Sequence, residues 1–114
     1  MIATDALSRT LSALADPTRR AILDRLSRGD ATVSELSAPF AISSPAISRH
    51  LRVLEACGLI VQERHGSWRS NSLQPKPLQE VTAYLDRYRA FLDASFERLR
   101  DHLQDNPINE QGES

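Results

Sequence analysis

The chain has 114 residues, 40% apolar and 25% charged, with fourteen Lys/Arg against fifteen Asp/Glu and a formal charge of −1. That length suits one domain with a packed core, and the charge balance excludes a uniformly basic nucleic-acid coat while leaving room for a local patch. A single cysteine excludes an intrachain disulfide framework or four-cysteine zinc site, no apolar run approaches the roughly 18 residues of a membrane span, and Met1 to Leu7 lack a secretory-signal pattern, so a soluble cytosolic domain is expected.

Leu7, Leu11 and Leu14 recur at helical spacing and predict a first helix of about three turns. Asp16-Pro17 ends it and opens a second, because Asp caps well and Pro fits the first helical position. Ala21, Ile22, Leu23 and Leu26 form the apolar face of that second helix, and Gly29 suits its C-terminal stop. Thr32-Val33-Ser34-Glu35 reads as a capping box opening a very short third helix with Val33 and Leu36 inward, ending near Pro39. Ile42-Ser43-Ser44-Pro45 is a tight break; Ser43 caps a fourth helix that buries Ile47, Leu51 and Leu54 and stops at Gly58. Leu59 to Val61 and Trp68 to Leu73 predict two strands joined through His65-Gly66-Ser67. Pro75 and Pro77 are expected to break the chain before one long helix from about Leu78 to Leu103. Residues 106–114 are polar and expected to fray.

This order is a helix-turn-helix followed by a hairpin. The predicted fold class is mainly α with a small β-hairpin: a winged helix-turn-helix of about five helices plus a two-stranded wing. Residues 1–105 would form the DNA-binding and dimerisation domain.

Charge follows the same organisation. Residues 41–73 hold Arg49, Arg52, Arg64 and Arg69 against Glu55 and Glu63, net +2, whereas residues 1–40 balance and residues 74–114 carry net −3. On a helical wheel centred on Ile47, Leu51 and Leu54 lie within about 40°. Pro45, Arg49 and Arg52 lie opposite, Ala46 and Ser48 flank them, and His50 sits at the boundary. Small residues let a helix approach a major groove closely, Arg forks onto guanine or phosphate, and Ser bonds several base edges. Arg64, His65, Ser67 and Arg69 on the wing reach a minor groove or its phosphates, with Trp68 expected to pack back on the strands. Singly, each residue has a plainer reading. Arg49 and Arg52 solvate a surface helix, Ser43 is only a cap, His50 is a satisfied boundary residue, and Cys57 is a small packed side chain.

Together, Leu14-Ala15-Asp16-Pro17-Thr18-Arg19-Arg20-Ala21-Ile22-Leu23, Ser44-Pro45-Ala46-Ile47-Ser48-Arg49-His50-Leu51-Arg52-Val53-Leu54 and Gly58-Leu59-Ile60 resemble the ArsR family of bacterial winged-helix repressors. The resemblance runs from about Leu7 to Leu103. It implies a homodimer that binds double-stranded operator palindromes and represses, often its own operon. It places the start of the recognition helix at Ser43 or Ser44 and the reading positions at Ser44, Ala46, Ser48, Arg49, His50 and Arg52. It also implies an interface built from the first and last helices, here Leu7, Leu11, Tyr84, Tyr88, Phe91, Leu92, Phe96 and Leu99. One edge of the aromatic stripe Tyr84, Tyr88, Phe91 and Phe96 is expected in the core and the other against the partner.

Many members sense metals through two cysteines ahead of the recognition helix, and those positions are Thr32 and Ser34 here. Hydroxyls do not replace thiolates for a soft metal. A second family site uses Asp and His on the last helix, where this chain has only His102. No metal and no cofactor are therefore expected. No phosphate loop, nucleophile elbow or His/Cys pair suggests an enzyme. The alternatives are a winged helix serving protein partners, or a repressor released by a small-molecule or redox signal at Cys57 or the dimer groove.

Overall fold

A computed structural model of the chain describes residues 5–105. The expectation of a frayed tail at 106–114 falls outside them. The described residues form two compact units, one running to Val81 and one from Thr82.

The first unit starts with α1 (Ala6–Leu14) and α2 (Pro17–Leu26). Asp5 and Asp16 cap them, accepting the backbone N–H of Ser8 and Arg19 at 2.7 and 2.9 Å. The buried positions of α1 are Thr10 and Ala13, whereas Leu11 is 40% exposed. The predicted Leu7–Leu11–Leu14 face is thus rotated, with only Leu14 packed on the core. Burial of Thr10 is tolerated because its hydroxyl donates to Ala6 O at 3.1 Å.

After Gly29 comes a strand absent from the prediction, β1 (Ala31–Thr32). Two residues are too few for an alternation pattern. Thr32 then caps α3 (Val33–Ser37) in the predicted box, with the Thr32 N–H donating to Glu35 Oε1 at 2.9 Å. A 3-10 turn (Ala38–Phe40) and Ala41, in left-handed backbone at φ +53°, lead to α4 (Ser44–Ala56). The wing is β2 (Ile60–His65) and β3 (Trp68–Leu73), paired antiparallel from Ile60↔Leu73 to His65↔Trp68, with Gly66 at φ +65° in the connection. β1 pairs with β3, so the sheet has three strands in the order β1-β3-β2 rather than two.

The core gathers Ile22, Leu36, Ile47, Leu51, Leu54, Leu59 and Ile60 at 0–1% exposure. These are the apolar faces of α2, α3 and α4 with the start of the wing. Each such burial contributes about 1.5–3 kcal/mol, which seats α4 firmly on its inward face. Pro75 and Pro77 do not break the chain. They lie in the first turn of α5 (Pro75–Asp86), where the missing N–H groups have no helical partner to lose, and Pro77 is buried.

The second unit holds the end of α5 and α6 (Arg89–Asp105). The long helix predicted here is two helices. Arg87 and Tyr88 donate to Tyr84 O and Leu85 O, three residues back, before Leu92 N–H bonds Tyr88 O and the regular ladder resumes. No Pro or Gly marks that break, so apolar spacing alone runs through it. No residue of α6 is buried, which corrects the expectation that one edge of the aromatic stripe lies in the core. Tyr84 is half-buried, whereas Tyr88, Phe91 and Phe96 are exposed.

Candidate nucleic-acid interface

α4 presents two faces. Ile47, Leu51 and Leu54 are buried, while Ser44, Pro45, Arg49 and Arg52 are exposed and Ala46, Ser48 and His50 are half-buried. Ser43 does cap the helix, accepting the Ala46 N–H at 3.3 Å, and Ser44 lies 3.4 Å from Ser37 of α3, hydroxyl to hydroxyl. The exposed first turn carries small side chains that allow close approach, while Pro45 has no N–H and Ser43 takes those of Ala46 and Ile47.

On the wing, Arg64 and Arg69 are direct cross-strand partners and both are exposed. Strand alternation puts them on the same sheet face as Gln62 and Asn71, beyond the edge of the core. Like charges placed opposite each other repel, so the tip carries a concentrated positive field. His65 and Trp68 occupy the other face, stacked at 4.6 Å between centroids, and His65 Nε2 lies 3.7 Å from Glu63. Trp68 is 51% exposed. The expected packing onto the strands is a stack on one neighbour instead, because both residues sit at the tip where no core lies beneath them.

Among the described residues, Arg49, Arg52, Arg64 and Arg69 take part in none of the ion pairs. Arginines elsewhere are engaged: Arg28 with Asp24, Arg89 with Asp86, Arg100 with Glu97, and Arg20 on Leu14 O. The arginine charge left available by the described contacts is therefore on α4 and the wing.

Asn71, at 0% exposure, is a residue the sequence reading missed. Its Nδ2 donates to Ala31 O at 3.1 Å and its Oδ1 accepts from Gln62 Nε2 at 2.8 Å. It joins all three strands and so couples the wing to the start of α3. A polar residue mid-strand was the available signal, but nothing local says that its partner lies 40 residues away. Cys57 is half-buried against the core, with its thiol donating to Leu54 O at 3.4 Å. No group of three or more His, Cys, Asp or Glu side chains that could hold a metal occurs among the described residues. Thr32 and Ser34 sit in the capping box of α3.

Residues 16–61 match the bacterial regulatory protein family arsR. The chain is 41% identical over 80 residues to the HTH-type transcriptional regulator Rv2034 of Mycobacterium tuberculosis, an alignment covering 70% of this chain and 75% of that protein. It belongs to the ArsR family. The match to the transcriptional repressor SdpR of Bacillus subtilis is 39% identical over 74 residues, covering 65% of this chain and 82% of the repressor. The crystal structure of an ArsR family transcriptional regulator superposes with a TM-score of 0.72 at 39% identity, covering 81% of this chain and 95% of the other. This ArsR protein is thus a transcriptional regulator with a DNA-binding winged helix, not an enzyme. No described helix is long and apolar enough to cross a membrane.

Proposed function

We propose that this ArsR protein is a cytoplasmic homodimeric repressor that reads a palindromic operator on the nucleoid. α4 enters the major groove and the wing lies along the flanking phosphates. Ser43, Ser44, Pro45, Ala46, Ser48, Arg49 and Arg52 form the reading surface, with His50 at its inner boundary beside Arg19 and Asp16, and with Arg64, His65, Ser67 and Arg69 on the wing. The carrying observation is that, among the described residues, the four arginines Arg49, Arg52, Arg64 and Arg69, with no ion pair, side-chain hydrogen bond or ring contact, lie on these two elements, in a chain whose net charge is −1.

Dimerisation supplies what one patch lacks. A net charge of +2 in residues 41–73 binds weakly, whereas a twofold pair doubles the phosphate contacts and sets half-sites about 34 Å apart. The exposed Tyr88, Phe91, Leu92, Phe96 and Leu99 of the last helical segment supply the apolar surface. Tyr84, with Leu7 and Leu11 of α1, completes the interface that the family resemblance implies. Residues 1–105 thus serve both DNA binding and dimerisation. Soft-metal sensing has no thiolate pair to use, because Thr32 and Ser34 occupy those positions and Thr32 is committed to capping.

Selection of bound duplexes from a random pool by the purified protein, read by sequencing, tests this. An enriched inverted repeat with half-sites one turn apart is expected. No enrichment at low salt in reducing buffer overturns the proposal and favours a winged helix serving protein partners.

A further inference from the structure

His50 faces away from the exposed arginines of α4. Its Nδ1 lies 3.5 Å from Arg19 Nη1 and 3.9 Å from Asp16 Oδ2, at the corner where α1 meets α2. Arg19 is already engaged there. Its Nε donates to Ala13 O at 2.8 Å and its Nη2 to Ser12 O at 3.3 Å, both carbonyls near the end of α1. Its own backbone N–H donates to the Asp16 cap at 2.9 Å. Arg19 thus stands in the first turn of α2 while its guanidinium touches the end of α1 and the middle of α4. Guanidinium has only donors, so in a bond between them Nδ1 of His50 is the acceptor, whereas the alternative tautomer turns that nitrogen's proton toward Asp16 Oδ2.

We infer that Arg19 is a positioning residue for DNA reading: it seats α4 through Nδ1 of His50, and His50 acts through that bond rather than through a contact of its own with DNA. The inference rests on α4 being the reading helix. Three things favour it. The ring is half-buried, with 25% of its side chain exposed. The arginine it meets is held by two other bonds and cannot swing out freely. Among the described residues, His50 is the one side chain of α4 with polar contacts to this corner.

Asparagine and glutamine separate the two ring nitrogens. Asn places an oxygen where Nδ1 stands, and Gln places an amide nitrogen near Nε2. The full chain and its His50→Asn, His50→Gln and Arg19→Lys variants are titrated with the duplex recovered from the pool and with a scrambled duplex, with melting curves alongside. His50→Asn is expected to keep the specific-to-scrambled affinity ratio. His50→Gln and Arg19→Lys lose about tenfold of it, with the salt slope unchanged. Lysine keeps the charge but lacks the planar fork that reaches these acceptors from three separate nitrogens.

A ratio kept by His50→Gln and lost by His50→Asn overturns the inference, as does a ratio unchanged in all three variants. A salt slope reduced by both His50 changes likewise overturns it, since it means direct phosphate contact. Nitrogen NMR of the free protein tests the contact without DNA. An unprotonated Nδ1 that changes signal in Arg19→Lys is expected, and a protonated Nδ1 overturns the seat. A wild-type chain with no sequence preference overturns the reading of α4 itself, which the NMR result distinguishes from failure of the contact.

Discussion

Asp16 shows how far a single side chain reaches. Its carboxylate starts α2, and the Arg19 N–H bonded to it holds its pKa below the usual carboxylate range, with the Arg19 charge acting in the same direction. Asp5 and Glu35 are lowered for the same first reason, a backbone N–H donated by Ser8 and Thr32 respectively. A carboxyl whose folded pKa is depressed stabilises the fold above its unfolded pKa, and that contribution disappears as pH falls through the folded value. Melting temperature should therefore hold between about pH 5 and 7 and drop below about pH 4. Asn also caps helices well, so Asp16→Asn should melt near wild type at neutral pH and lose less in acid; parallel melting curves across pH would contradict this. Arg49→Ala and Arg52→Ala test the reading face. If the side chain meets a base, specific affinity falls by about 1–3 kcal/mol with relaxed preference there; if it meets a phosphate, all sequences weaken and the salt slope falls by about 1. Filter binding over a salt series distinguishes these from the unchanged affinity of a merely solvated residue.

Among the elements, the turn before α4 and the wing hold the clearest compromises. Ala41 sits at φ +53° with no glycine to ease it, a conformation that costs an L-residue about 1–2 kcal/mol. Ala41→Gly should raise stability by roughly 0.5–1 kcal/mol, after allowing for the greater freedom of unfolded glycine; denaturant unfolding with no gain would show the turn to be relaxed. Arg64 and Arg69 oppose each other across the wing. Arg69→Thr should relieve that repulsion, stabilising the free protein by about 0.2–1 kcal/mol, while reducing the salt slope of DNA binding by about 1. Opposite signs for stability and binding are the expected signature of a hairpin shaped for phosphate, and a variant weaker in both measurements would argue against it.

At the scale of the whole molecule, Phe91 is 66% exposed, Phe96 64% and Leu99 55%. Such a set of large apolar side chains is costly to leave in water and suits the proposed dimer interface. Phe96→Glu should shift sedimentation from dimer to monomer and remove most of the operator affinity, because one winged helix holds half the phosphate contacts. A variant that stays dimeric would place the interface elsewhere.

Features that local chemistry decides were legible before the chain was folded. The caps at Asp16, Thr32 and Ser43, the inward face Ile47–Leu51–Leu54 and the stop at Gly58 each depend on residues within about one turn of each other. The family motifs followed from the same segments, and so did the proposal that α4 is the reading helix. Tertiary structure decided the rest, since those features depend on partners far along the chain. β1 exists because β3 is there to pair with it, and Asn71 is buried because Ala31 and Gln62 satisfy it. Trp68 stays exposed because the wing outruns the core. His50 turns toward Arg19, 31 residues earlier, because burial of the Ile47 face fixes how α4 lies against the α1–α2 corner.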